Sequence, residues 1–100
     1  MKNIDITIVR IYLTETSSLV KKLIEYLKND AKVRGVTVFR AITGFGDDKK
    51  IREASLVDLS LDLPIVIEFF DDKDKAMLVI DYLSSIVKPE HVVFWDAKTN

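Results

Sequence analysis

Residues 4–13, Ile-Asp-Ile-Thr-Ile-Val-Arg-Ile-Tyr-Leu, set the strongest limit on what this chain can become. Successive side chains of a strand point to opposite faces, so Ile4, Ile6 and Ile8 share one face while Val9, Ile11 and Leu13 share the other. A strand apolar on both sides belongs inside a sheet with both faces covered. A second, very apolar run occupies residues 65–70, entered through Pro64, a residue tolerated at a strand's first position because its missing N–H is not needed there. Any fold for this chain must bury these two strands.

Between them the spacing predicts a helix. Leu19, Val20, Leu23, Ile24, Tyr26, Leu27 and Ala31 fall on one arc, and Lys21, Lys22, Glu25, Lys28, Asn29 and Lys32 cover the outer side. Residues 14–18 offer the N-cap, and Gly35 stands after Arg34 where a left-handed C-cap glycine belongs. A second helix is predicted after Asp71 or Asp72, with Ala76, Val79, Ile80, Leu83, Ile86 and Val87 as its core stripe, Leu78 and Tyr82 off it, and Lys88-Pro89 as its stop. Residues 36–43 and 92–95 read as two further strands, with Val38, Arg40 and Ile42 on one face of the former. The order is βαββαβ. Right-handed crossovers place both helices on the same side of one antiparallel sheet, a ferredoxin-like α+β sandwich with the first and third strands central. Helices cover one face only, so the apolar residues on the other face call for a second or third copy of the chain.

The connection at 44–63 exceeds the ~12 to 15 residues beyond which a structureless loop is usually functional or disordered. Gly44-Phe45-Gly46 opens it without the spacing of a phosphate-binding fingerprint. The glycines are expected to take positive φ as a hinge, or to let a ligand approach the backbone at the loop's root. Lys49, Lys50 and Arg52 follow Asp47-Asp48, a charge run that can compensate itself or serve as an anion-binding tip. Leu56, Leu59 and Leu61 suggest a returning limb that packs. Arg10 and Arg40 stand within strands among apolar neighbours and each needs a carboxylate, a subunit boundary or an anion; Asp62 and Glu68 are the candidate partners.

Composition narrows the function classes. With 48% hydrophobic and 31% charged residues the chain is globular, and its apolar runs stop short of the ~18 residues of a membrane span. Asp5 and Arg10 interrupt the first apolar segment, so no secretory leader is read, and a cytoplasmic location is expected. With no cysteine there is no disulfide framework, thiolate metal site or thiol nucleophile. A net charge of −1 argues against a general nucleic-acid binder. The single histidine, His91, reads as a polar residue at a strand end, and Asp71, Asp72 and Asp74 lack the glycine and terminal glutamate of a calcium loop. No catalytic constellation assembles, and the chain is not expected to be an enzyme.

The stretch Gly35-Val-Thr-Val-Phe-Arg-Ala-Ile-Thr-Gly-Phe-Gly46, a spacer, and then Leu59-Ser-Leu-Asp-Leu-Pro-Ile-Val-Ile-Glu68 resembles an uncharacterised prokaryotic family of PII-like proteins. Arg10-Ile-Tyr-Leu13, Glu15 and Asp71 agree with it, and the resemblance covers nearly the whole chain as one domain, residues 1–100. It implies a homotrimer related to PII signalling proteins and to the copper-tolerance protein CutA, with clefts between subunits and a long loop after the second strand. Two positions depart. Many members carry loop histidines where Lys50 and Arg52 stand, and residues 84–90 lack the glycines with which PII proteins hold nucleotide phosphates. The resulting expectation is a regulatory module that binds a small anion or nucleotide through Arg10, Arg40, Gly44, Phe45, Gly46, Lys49, Lys50, Arg52 and Asp62, with the 44–63 loop offered to a protein partner. No cofactor is assigned. The alternatives are a CutA-like metal-homeostasis or stress protein using carboxylates and His91, and an oligomeric scaffold without a ligand.

Overall fold

The computed structural model describes residues 3–54 and 62–100. In chain order the elements are β1 (Ile4–Thr14), α1 (Leu19–Glu25) continuing as a π-helical turn (Tyr26–Asp30), β2 (Thr37–Arg40), β3 (Thr43–Gly44), β4 (Arg52–Glu53), β5 (Pro64–Asp71), α2 (Lys73–Ser84) and β6 (Val92–Thr99). The main sheet runs β2-β5-β1-β6 and is antiparallel throughout, so the two strands apolar on both sides are the central pair. Within the core-facing set, Val9 and Ile11 of β1 and Ile65, Ile67 and Phe69 of β5 pack with Leu23, Leu27, Ala76, Val79, Ile80, Leu83 and Val87 in one buried cluster. Both helices lie on that face. The ferredoxin-like arrangement is therefore present.

The opposite parity leaves the other face bare. Tyr12, Phe39, Phe70, Val93 and Trp95 all stand exposed on it, a contiguous aromatic and aliphatic surface set by cross-strand pairs such as Phe39 with Val66 and Arg10 with Val93. Arg10 crosses its centre. The Nε donates to Glu68 Oε1 at 2.7 Å, and the guanidinium lies 5.9 Å from the Phe39 ring centroid and 5.7 Å from that of Trp95. A charge is tolerated among these side chains because it has a carboxylate and two π faces.

Helix ends differ from the sequence expectation. The first helix stops at Asp30 through a π-helical turn, in which the Ala31 N–H reaches back to the Tyr26 carbonyl at 2.9 Å. This turn sets Tyr26 against Tyr82 of α2, ring centroids 4.0 Å apart. The left-handed residue is Lys32, at φ 54°, and Gly35 has no positive φ. An L-residue pays a steric cost there that glycine would avoid, so propensity pointed to the wrong position. The second helix ends at Ser84, earlier than Lys88-Pro89, with Ile86 and Val87 packing from the connection instead. Asp72 caps it, its side chain accepting from the Lys75 N–H at 3.0 Å. The last strand is longer than 92–95, reaching Thr99 because it pairs with β1 along its full length.

The predicted strand at 36–43 is cut at Arg40. After a bend at Ile42 the chain enters a separate two-stranded ribbon, β3 with β4, pairing Thr43 with Glu53 and Gly44 with Arg52. Ile42 faces solvent rather than extending the face of Val38. The first part of the 44–63 connection is thus a hairpin, not an irregular loop. The expected packing of Leu56, Leu59 and Leu61 lies outside the described residues.

Candidate functional site

Antiparallel pairing brings three distant segments to one end of the sheet. The C-terminal end of β1 meets the start of β6, where the Tyr12 N–H donates to the His91 carbonyl at 2.9 Å. The start of β5 lies on the other side of β1, with Thr14 opposite Pro64. The β3–β4 hairpin folds over this end, and Gly44 allows the close approach, since a Cβ there would stand 3.0 Å from the Pro64 ring. The result is a cleft of about 600 Å³. Its apolar floor comes from Leu13, Leu19, Ile65, Ile86 and Val87; its rim carries Arg52, Lys88 and His91 together with Asp47 and Asp48.

The hairpin turn is held by its own charges. Arg52 grips Asp48 with both terminal nitrogens, at 3.2 and 2.8 Å, and its Nε lies 3.4 Å from Asp62. Asp48 also accepts from the Lys50 N–H at 2.9 Å. The Arg52 guanidinium, aided by that N–H, holds the Asp48 carboxyl well below its ordinary range, at about 2. Asp62 is lowered as well, chiefly because the Thr16 N–H and hydroxyl both donate to it, at 3.0 and 2.8 Å. Lys49, at φ 59°, closes the turn by donating its N–H to the Gly46 carbonyl at 2.9 Å, and its ammonium lies 5.6 Å from the Phe45 ring. Neither Gly44 nor Gly46 has a positive φ, so the hinge places that conformation on Lys49. Across the cleft, His91 Nε2 lies 3.4 Å from Asp47, and its Nδ1 lies 3.1 Å from the Pro89 carbonyl.

The expected site residues separate into three places. Phe45, Gly46 and Arg52 line the cleft, with Gly44 beneath it and Asp62 behind Arg52. Lys49 and Lys50 are exposed on the turn. Arg10 and Arg40 are elsewhere: Arg10 lies on the bare sheet face, and Arg40 pairs through Nε and a terminal nitrogen with Glu15. Glu68 is the partner of Arg10 as expected, whereas Asp62 serves neither strand arginine because Arg52 and Thr16 claim it. Tyr12, Lys88, Asp47 and Asp48 were not among the expected site residues, and His91 was named only for the metal-binding alternative. The signal that could have found them is topological, since an antiparallel β1–β6 pair must set residue 12 beside residue 91. Among the described residues no three His, Cys, Asp or Glu side chains come together as a metal site. No helix of the described residues is long and apolar enough to cross a membrane.

Residues 6–99 match the model of DUF190, described as Uncharacterized ACR, COG1993. The chain belongs to the DUF190 family. A UPF0166 protein of Aquifex aeolicus (strain VF5) is 42% identical to it over 72 residues, 68% of this chain and 69% of the relative. Among solved structures, this DUF190 chain resembles CPII of Thiomonas intermedia K12 bound to ADP and bicarbonate, with a TM-score of 0.70 at 20% identity, covering 98% of this chain and 91% of the other. A second CPII structure, bound to ADP, AMP and bicarbonate, gives 0.69 at 17% identity over 100% of both chains. At such identities the likeness fixes the fold, which is PII-like.

Proposed function

We propose that this DUF190 chain is a single-domain, non-enzymatic regulatory module of PII type, a cytoplasmic homotrimer that takes a nucleotide or other small anion in its cleft and presents the 44–63 loop to a protein partner. The observation that carries this reading is the cleft itself: an apolar floor with Arg52, Lys88 and His91 around it beside Asp47 and Asp48, at the root of the hairpin. Its volume lies in the usual range of small-molecule sites, roughly 300–1,000 Å³. An apolar floor suits a base, and an arginine and a lysine at its edge suit phosphates. The bare sheet face, with Trp95 and Phe39 exposed, supports association of copies through that surface. That CPII holds ADP and bicarbonate agrees with an anionic ligand. Residues 84–90 contain no glycine, so phosphate would be held here by side chains rather than by a bare backbone cradle.

Calorimetric titration of ADP, AMP and bicarbonate tests the reading. Lys88→Ala is expected to weaken nucleotide binding about tenfold or more, the loss of one charge-assisted contact. Arg40→Ala, outside the cleft and paired with Glu15, is expected to leave affinity unchanged. Absence of binding heat and of thermal stabilisation with every member of the series would remove the reading. The metal-protein alternative gains no support from the described carboxylates and His91, which are not clustered.

A further inference from the structure

Arg52 differs from the other cations of the hairpin in being largely enclosed and already saturated with carboxylate. Its side chain is 19% exposed, against 51% for Asp48, and it stands between two acids of unlike attachment. Asp62 is fixed to the body of the protein through the Thr16 backbone and hydroxyl. Asp48 sits on the exposed turn, which is held by the Lys49 N–H on Gly46, by Asp48's own bonds to Lys50 and Arg52, by a weaker 3.3 Å bond from Arg52 to the Lys50 carbonyl and by the Asp47 contact with His91 at 3.4 Å. The two parallel contacts from the terminal nitrogens of Arg52 to the two oxygens of Asp48 have the fork geometry with which arginine takes a carboxylate or two phosphate oxygens. This fork opens on the same cleft as Lys88 and His91.

We propose that Asp48 is a resident anion on the Arg52 fork, exchanged for an oxyanion of the incoming ligand, so that binding in the cleft opens the 46–50 turn. The proposal rests on the anion-binding reading above and specifies how that site is regulated. Asp48 is ionised throughout the physiological range, so it occupies the fork whenever no competing anion is present. Two anions cannot share the fork without strong like-charge repulsion, and Asp48 is the one free to leave. Among the described contacts, its departure leaves the turn tied to β4 by the single 3.3 Å bond from Arg52 to the Lys50 carbonyl, with the 3.4 Å contact between Asp47 and His91 as its tie to the body. Asp62 stays and keeps Arg52 oriented. Ligand affinity and turn closure are therefore coupled, each opposing the other to the same degree. The exchangeable chemistry is an oxyanion, supplied by a nucleotide phosphate or by a free anion such as bicarbonate or phosphate.

Asp48→Asn tests this on the full chain, because the asparagine carbonyl can still accept from the Lys50 N–H and preserve the turn. Asp48→Ala is the second variant, guarding against residual capture of the fork by the amide. Affinities for ADP, bicarbonate and inorganic phosphate are measured by calorimetry, and trypsin cleavage after Lys49 and Lys50 reports turn opening. The expected result is that both variants bind ADP about tenfold more tightly, within the usual span of coupling between sites. Wild type should be cleaved faster with ADP present, whereas Asp48→Ala, which keeps neither the Lys50 nor the Arg52 contact of residue 48, should be cleaved fast with or without it. If wild type binds ADP and both variants bind it equally or more weakly, the exchange is overturned while the nucleotide reading stands. If neither form binds ADP but the variants bind phosphate or bicarbonate more tightly than wild type, the exchange stands and the nucleotide reading falls. If no form binds any of the three, both fall.

Discussion

Trp95→Lys is expected to convert the proposed trimer into monomers that keep the native fold. Trp95 is 40% exposed on the bare sheet face, opposite Ile8, and its ring lies near the Arg10 guanidinium. None of the buried cluster depends on it. Burying a lysine there against a second copy would leave a cation without a partner, because the nearby carboxylate, Glu68, is already bound to Arg10. Breaking up such a surface by an unpaired charge costs about 3–5 kcal/mol, and about 3 kcal/mol alone weakens association more than a hundredfold. Aspartate would be a poorer choice, since Arg10 could neutralise it. Sedimentation velocity at micromolar concentration should show trimer for wild type and monomer for the variant, with matching far-ultraviolet circular dichroism. A wild-type monomer, or a variant of unchanged mass, contradicts the assignment of this face.

Phe69→Ala is expected to destabilise the fold severely, and Phe70→Ala is not. The two are adjacent on β5 but point to opposite faces: Phe69 is fully enclosed in the core, whereas Phe70 stands on the bare face beside Arg34. Removing a buried phenylalanine costs about 3–5 kcal/mol, the transfer loss and the cavity together. In a domain of this size that lowers Tm by roughly 15–25 °C, a large part of a total stability of about 5–15 kcal/mol. Phe70→Ala should cost under about 1 kcal/mol in the monomer, because its ring is already partly in water. Urea unfolding should be compared in the Trp95→Lys background, where assembly cannot add to stability. Equal losses for the two would mean that the faces of β5 are wrongly assigned.

The central pair of strands was legible because a two-sided apolar pattern leaves few places in a sheet. Glu68 was one of two candidate partners for the strand arginines, and register sets it directly opposite Arg10 on β1 and β5. The cap at Asp72 followed from a short acceptor side chain at a helix start. Other features had no local signature. Among the described residues the left-handed positions fall on Lys32, Lys49 and Glu90, none of which propensity favours, while the glycines that should have marked them do not take positive φ. The β3–β4 ribbon pairs only two residues on each side, too few to show a period, and the Arg52 contacts that brace it come from side chains. Tyr12 meets the local turn of Lys88 and His91 only through tertiary register, so no spacing along the chain announces the cleft. Arg40 drew notice as a strand arginine needing a partner, and Glu15 on the segment after β1 supplies one.

The claim that the cleft is the ligand site is tested most directly by a crystal structure of the full chain grown with millimolar ADP. ADP is expected in the cleft, its base on the floor formed by Leu13, Ile65 and Val87, its phosphates within hydrogen-bonding distance of Lys88 and Arg52, and Asp48 displaced from the Arg52 fork. An empty cleft in the presence of ADP, or ADP held instead on the sheet face at Arg10, would contradict it.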